Sequence, residues 1–405
     1  MGKKDTANRS CEGPTMPKFE GMRLKPIPFL ILLFLPIPAF LHSAPLHSPT
    51  WGFRLDLPPG YVYVDGNAFD RFSFTGPSES MFDVAVYAGT YGDVGAMMAD
   101  VNRRLGNSGE VALFEYGGRT AALMELGFGG FEGLALGLEL GGDGGPSSAP
   151  LLLALAYAPA GTENVDLLHG SVLNSIAPTF ADTRRPGPIM EFAFPRGEPV
   201  RVPLAGGPGL HATIRENDAE AAQWLVDNEF LVLALYQFSD HWEEAWIRFY
   251  RAIYRDSADR ISDAAFRIER GLMEEVVAAG HAPGGGERAF AGMALSLVQG
   301  FLYERDFDGS DFVNLVSAVT EGRGDCDSRA MLLAVILAQA NIPSAIMVSR
   351  HYSHAMGLTD VPGPGARFES GGVRWLVAET TANVDIGLIA QDKSDVGHWL
   401  GVLFE

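Results

Sequence analysis

The chain has 405 residues, 47% hydrophobic and 20% charged, which fits two or three globular domains and excludes a disordered or fibrous chain. Acidic residues outnumber basic ones 50 to 30, for a net charge of −20. That balance repels phosphate backbones and anionic lipid, and no basic stripe or zinc-finger spacing reverses it, which argues against nucleic acid as a partner.

Residues 1–45 read as a targeting segment. Lys25-Pro26 leads into IPFLILLFLPIPAFLHSAP, which ends on the small residues Ser43 and Ala44. A basic flank, a short apolar run and small residues describe a secretory signal cleaved near Ala44. The run is about 15 residues long and interrupted by Pro36 and Pro38, short for a bilayer span. The alternative is an uncleaved N-terminal membrane anchor. The polar lead to Gly21 is long for a signal, and Met16 or Met22 is an alternative start. The expectation is a periplasmic, cell-envelope or secreted protein with no stable membrane span after processing.

Export sharpens the cysteine arithmetic. Of the two cysteines, Cys11 precedes the apolar run and leaves with it, so the mature chain keeps Cys326 alone. Exported proteins avoid unpaired thiols, which oxidise and cross-link, so a retained single cysteine is a candidate for chemistry. The structural alternative is a small buried hydrophobe.

Residues 46–181 read as an N-terminal α+β domain. GFRLDLPPGYVYV puts Phe53, Leu55 and Leu57 on one strand face, and Pro58-Pro59-Gly60 turns the chain. RFSF and FDVAVYA continue as strands. DVGAMMADVNRRLG has the helical stripe Val94, Met97, Met98, Val101 and Leu105, with Gly106 as the stop. TAALMEL, the alternation Leu134, Leu136, Leu138, Leu140, and APLLLALAYA add strands, the last two joined by GGDGGPSS; TENVDLLHGSVLNSI closes as a helix. The order predicts an antiparallel sheet flanked by helices, a pattern that loosely resembles the PsbP-like fold. His169 stands alone in the closing helix and reads as structural or exposed.

Residues 182–216 are rich in Pro, Gly and Arg and read as a linker with a short strand or two. Residues 217–284 are helical, with apolar residues three and four apart. Trp242, Trp246, Phe249, Tyr250 and Tyr254 form an aromatic stripe that reads as packing between helices. A further helix starts near Glu287, and DGSDFVNLVSAVTEGRG reads as a loop.

The chemistry gathers in residues 285–405. After Gly324, Ala330, Leu333, Ala334, Leu337 and Ala338 recur at helical spacing; Asn341 ends the run and Pro343 forbids its continuation. Asp325 is the expected N-cap, which puts Cys326 in the first turn. There the free N–H groups and the helix dipole favour thiolate, while Asp325 and Asp327 oppose it. A thiol nucleophile also needs a base and a group to orient that base. IPSAIMVSRHYSHAMGLTDV reads as two strands joined by a tight turn and carries His351 and His354, whose offset of three points them to opposite faces. GGVRWLVAETTANVDIG follows as a strand, with Glu379 in line with Trp375 and Val377 on an apolar face, a position that calls for a partner such as an imidazolium.

Val298-Gln299, Gly324-Asp325-Cys326, His354-Ala355 and Glu379, in that order, resemble the core of the transglutaminase-like superfamily over about residues 285–390. The resemblance implies a papain-like architecture in which a helix carrying the thiol packs on an antiparallel sheet carrying the base. It implies Cys326 as nucleophile, His354 as general base and acid, Glu379 as the orienting acid and Gln299 as an oxyanion donor. Many members have Asp where this chain has Glu379, with Asp385 the fallback acid and His351 the fallback base. Cys326, His351, His354 and Glu379 match no standard zinc spacing, and neither a metal nor another cofactor is expected. The reading is an exported cysteine peptidase or amidase acting on peptide or isopeptide bonds through a thioester. Its substrates would be proteins or peptides, with envelope proteins and peptidoglycan peptides as candidates. The alternatives are a glutamine γ-glutamyltransferase and an inactive binding module of the envelope.

Overall fold

Strand-forming stretches dominate the first part of the chain and helix-forming ones the middle. The computed structural model describes residues 45–141, 149–207, 209–281, 286–305 and 310–404. The segment read as a targeting signal, with Cys11, Met16 and Met22, and the Gly-rich loop at 142–148 lie outside the described residues.

A ribbon of β1 (Leu46–His47) and β2 (Arg54–Leu55) precedes a seven-stranded antiparallel sheet. The sheet comprises β3 (Val62–Gly66), β4 (Arg71–Thr75), β5 (Met81–Tyr87), β6 (Val111–Tyr116), β7 (Arg119–Phe128), β8 (Phe131–Glu139) and β9 (Leu151–Pro159), in the spatial order β3-β4-β5-β9-β8-β7-β6. Two helices cover its faces: α1 (Val94–Leu105) on one and α2 (Val165–Asn174) on the other. Asp93 caps α1 by accepting from Ala96 N, and Gly106 ends it in the left-handed region. The Val94, Met97, Met98, Val101 stripe meets Ala122, Met124, Ala135 and Leu153. Leu136, Leu138 and Leu140, with the opposite parity to Ala135, meet Val172 and Leu173 of α2. A Cβ on Gly137 would stand 2.9 Å from Met98 Sδ and Val94 Cγ1, so α1 lies directly on the backbone of β8. His169 is fully buried in α2.

The Pro- and Gly-rich stretch after the first sheet is built into the fold: it forms α3 (Pro188–Ala193) and a ribbon of β10 (Pro199–Pro203) with β11 (His211–Arg215). The helical middle follows as α4 (Asp218–Ala234), α5 (Trp242–Arg260), α6 (Ser262–Ala278) and α7 (Glu287–Gln299). Three arginines of α5 fasten it to the N-terminal sheet unit. Arg248 donates to Asp56 O and pairs with Glu229 at 2.6 Å, Arg251 pairs with Asp56, and Arg255 donates to Asn174 O and Ile176 O.

After the short parallel pair β12 (Leu302–Tyr303) and β13 (Arg323–Gly324) comes the C-terminal layer. Within the stretch read as a loop, α8 (Leu315–Glu321) forms between the Asn314 cap, which accepts from Ser317 N, and Gly322 at positive φ. Two turns of helix are too few to display a hydrophobic period, and only the cap and the glycine signal them. The helix α9 (Cys326–Gln339) is buried on nearly every side and packs on an antiparallel five-stranded sheet. That sheet runs β16-β17-β15-β14-β18, from β14 (Ser344–Ser349), β15 (His354–Thr359), β16 (Arg367–Ser370), β17 (Val373–Ala378) and β18 (Leu400–Leu403). A Cβ on Gly357 would lie 2.8 Å from Leu333, so α9 crosses β15 at backbone contact. A single hydrophobic core runs from Leu204 and Ala212 through α4 to α9 into Ala355, Leu376 and Val402. The helical middle and the C-terminal sheet therefore stabilise each other. Among the described residues no helix is long and apolar enough to cross a membrane. The whole is a mixed α+β protein: an N-terminal antiparallel sheet, a helical middle and a C-terminal five-stranded sheet that packs on a buried helix.

Candidate active site at the start of the buried helix

Asp325 caps α9, its Oδ1 accepting from Ser328 N at 2.8 Å and from Ser328 Oγ. Cys326 is therefore the first helical residue, 4% exposed and a free thiol. Its side chain opens onto a cleft of about 240 Å³ that His354 also lines. The other walls mix the aromatic rings of Phe230, Trp246, Phe249 and Phe312 with polar and charged groups that include Arg305, Asp311, Ser349 and Arg350.

His354 opens β15, directly after Ser353, whose φ of 46° closes the tight turn from β14. Its Nε2 lies 2.9 Å from Glu379 Oε2. No hydrogen bond engages its Nδ1 among the described residues. Glu379 follows the last residue of β17, and its Oε1 accepts from Thr381 N at 2.8 Å and Thr381 Oγ1 at 2.7 Å. The strand register explains the meeting. Continued one residue beyond the pair Gly357 with Ala378, it sets Glu379 opposite Met356, two residues along from His354 on the same face. Such diagonal neighbours are within reach of a long side chain. That face also carries Trp375, Val377 and Trp399, and the Trp399 ring stands 6.2 Å from the His354 ring. The opposite face, with Ala355, Leu376 and Ala378, packs on α9. The site thus forms at the end of the sheet, where His354 and Cys326 line one cleft, and strand-face parity alone does not decide which histidine takes part.

Gln299 ends α7, and its Nε2 donates to Glu379 O at 2.8 Å and Val384 O at 2.9 Å. Both amide hydrogens are spent, so the side chain holds the backbone of Glu379 in place and offers no hydrogen to an oxyanion. From α9, buried Arg329 donates to Thr380 O, Phe301 O and Gly324 O, fixing the same turn from the other side. Asp385 is exposed, and among the described residues no hydrogen bond or ion pair joins it to His354, while His351 stacks on His398 at 4.0 Å, outside the His354–Glu379 pair.

Asp327 was legible as an opposing charge; its tie to Tyr250 was not. The Tyr250 hydroxyl, on the α5 aromatic stripe, donates to Asp327 Oδ1 at 2.8 Å, and Cys326 Sγ lies 3.6 Å from Asp327 Oδ2. Ring spacing marks Tyr250 as core, and nothing in the stripe announces a hydroxyl aimed across helices. Asp325, Cys326 and Asp327 bring one potential ligand atom each within 4.8 Å of one another. Ser328 engages Asp325 Oδ1, and Tyr250 and the thiol engage the two oxygens of Asp327, while Asp325 Oδ2 is buried without a hydrogen-bond partner among the described residues.

The electrostatics divide the site. Burial alone would raise the Glu379 carboxyl, but hydrogen bonding and charge from His354, with two bonds from Thr381, outweigh it and hold the pKa at about 2. The Cys326 thiol is pushed the other way, first by burial and then by Asp327 and Asp325, against a weaker opposing bond from the Ala355 amide. Burial and the charge of Asp327 also push Asp325 well above the carboxylate range. The pull of the helix start toward thiolate is therefore outweighed at Cys326.

No family model and no curated protein matches this chain. A crystal structure from Bacteroides thetaiotaomicron VPI-5482, at 1.50 Å resolution, aligns over 55% of this chain and 79% of that one, with 10% identity and a TM-score of 0.24. At that level the similarity carries no inference about fold or function.

Proposed function

We propose that the C-terminal part is a transglutaminase-like thiol acyl-transfer site working as a cysteine peptidase or amidase. The observation that carries this reading is the buried His354–Glu379 pair opening on the same cleft as the helix-start thiol of Cys326. The order of the elements supports it: a buried helix bearing the thiol packs on an antiparallel sheet bearing imidazole and carboxylate, as in a papain-like core.

In this reading Glu379 accepts from Nε2–H and fixes the tautomer that leaves Nδ1 free as the base. Nδ1 takes the thiol proton as sulfur attacks the carbonyl carbon. The first-turn amides of α9 that Asp325 does not take stabilise the oxyanion. Collapse of the tetrahedral adduct breaks the carbon–nitrogen bond, and the imidazolium gives its proton to the leaving amine. Water, deprotonated by His354, then attacks the thioester and releases the acid, and sulfur regains its proton.

Transglutamination, in which an amine replaces water, is the second reading; the aromatic rings of Phe230, Trp246, Phe249 and Phe312 on the cleft wall favour it, since apolar surface disfavours water beside a thioester. Incubation with a glutamine-containing peptide and a dansyl amine separates the two. Ammonia or new termini without label support hydrolysis, and stable label on the peptide supports transfer. Neither product in wild type, or equal product with Cys326→Ala, overturns the proposal.

The targeting segment supports an envelope or secreted location, with protein or peptide substrates. The N-terminal sheet with a helix on each face is compatible with the PsbP-like reading and with substrate docking.

A further inference from the structure

We infer that Asp327, held in place by Tyr250, is a positioning residue that keeps Cys326 as a resting thiol until substrate enters the cleft. The inference rests on the acyl-transfer reading and adds a control to the same site. The geometry is specific. Cys326 donates its S–H to Asp327 Oδ2 (3.6 Å), and no hydrogen bond joins it to His354 among the described residues. The other oxygen of Asp327 accepts from Tyr250, which is 3% exposed and rises from a different helix. The carboxylate is thus fixed from both sides: the sulfur proton points sideways while the imidazole carries its own bond to Glu379.

The remaining groups around the sulfur do not cancel this effect. Asp325, raised by burial and by Asp327, resists ionisation and brings no counter-charge to the sulfur, and Tyr250 and Tyr303 are themselves raised in the presence of the cysteine, burial being the larger cause for both. Arg305 and Arg329 feel the sulfur's charge and would favour thiolate, but Arg305 pairs with Asp311, and Arg329 is directed at three backbone carbonyls. His354 faces the cleft from β15. The upward push on the thiol from burial, Asp327 and Asp325 agrees with the geometry.

A thiol is a poorer nucleophile than a thiolate and oxidises more slowly, so such a contact protects Cys326 between turnovers. A substrate carbonyl settling beside the sulfur would displace the S–H from Asp327 and turn it toward Nδ1 of His354. The proton moves from one acceptor direction to another, with no change in the overall balance of the acyl transfer.

The test is iodoacetamide alkylation of the full chain from pH 5 to 10, read at Cys326 by peptide mass so that Cys11 does not contribute, with far-UV circular dichroism as the check on folding. Wild type should label slowly at pH 7, with its inflection above the ordinary thiol range of about 8.5. Asp327→Asn should label at least about tenfold faster at pH 7, because each unit by which the thiol drops multiplies the thiolate fraction tenfold. Its inflection should move down, a change that a merely structural role would not produce. Wild-type labelling with an inflection below pH 7 overturns the inference without using any variant. An unchanged inflection in folded Asp327→Asn also overturns it. His354→Ala keeps the two claims apart. If it leaves acyl transfer intact while Asp327→Asn still accelerates labelling, the restraint stands and the acyl-transfer reading falls. If it abolishes acyl transfer while Asp327→Asn leaves the labelling profile unchanged, the reverse holds.

Discussion

Glu379 Oε2 sits 2.9 Å from His354 Nε2, with each side chain less than a tenth exposed. A carboxylate removed from water in this way is costly unless its lone pairs are taken, and here Thr381 takes the other oxygen twice. The pair therefore fixes which imidazole nitrogen faces the cleft.

Removing the charge of that carboxylate while keeping its shape should cost catalysis more than folding. For Glu379→Gln we expect turnover to fall by about 10²-fold or more, since the imidazolium formed during acylation loses its counter-charge. Glu379→Asp should recover part of the loss, limited by the missing methylene. The measurement is kcat on any amide or ester the wild type turns over.

The same pair predicts a pH dependence of stability. The folded carboxyl, at about 2, lies below its unfolded value, so its contribution is fully present above about pH 4.3 and is lost as pH falls toward 2. The shift corresponds to roughly 3 kcal/mol as an upper figure. Urea melts should show a gap between wild type and Glu379→Gln at pH 7 that closes between about pH 4.3 and 2. A gap that persists at the acid end would contradict the assignment of the shift to Glu379.

Gln299 and Asp385 should behave in opposite ways. Gln299→Ala removes two hydrogen bonds from the backbone around Glu379, with an expected cost of about 1–3 kcal/mol and a slower reaction through a looser carboxylate. Asp385→Asn, on an exposed residue, should change stability by less than about 0.5 kcal/mol and leave turnover unchanged. Thermal melts and rates on both variants decide which acid serves His354.

Much of this site was legible in the sequence, and the reasons are local. An N-cap followed by a buried apolar period fixes Cys326 at a helix start without any tertiary information, and the cap bond of Asp325 to Ser328 N is present. The two strands around the tight turn are likewise set by alternation and turn residues. The contacts that join distant segments were not legible: Tyr250 to Asp327, Gln299 to Glu379 O and Arg329 to Thr380 O. Each spans scores of residues and depends on how two elements pack, which no periodicity encodes. The same limit hid α8 and the strands β16 and β18, which are too short to carry a pattern of their own. Burial also tips the balance between the helix start and the flanking acids at the thiol, because desolvation depends on the neighbours that cover Cys326 rather than on its place in the helix.

Arg248 tests the seam between the N-terminal sheet and the helical middle. It pairs with Glu229 at 2.6 Å, both side chains 4% exposed, and donates to Asp56 O and Ser171 O. Arg248→Met would leave Glu229 buried without a counter-charge and should cost about 3–5 kcal/mol. Replacing both, as Arg248→Met with Glu229→Leu, should restore part of that loss, read by chemical denaturation.

The most direct test of the central claim is acyl capture at a single sulfur. The full chain is mixed with p-nitrophenyl acetate, nitrophenolate release is followed by stopped flow, and the acetylated residue is located by peptide mass. The account predicts a burst with the acetyl group on Cys326, abolished by Cys326→Ala and strongly slowed by His354→Ala. Acetylation elsewhere in the chain, or equal rates in wild type and His354→Ala, would contradict it.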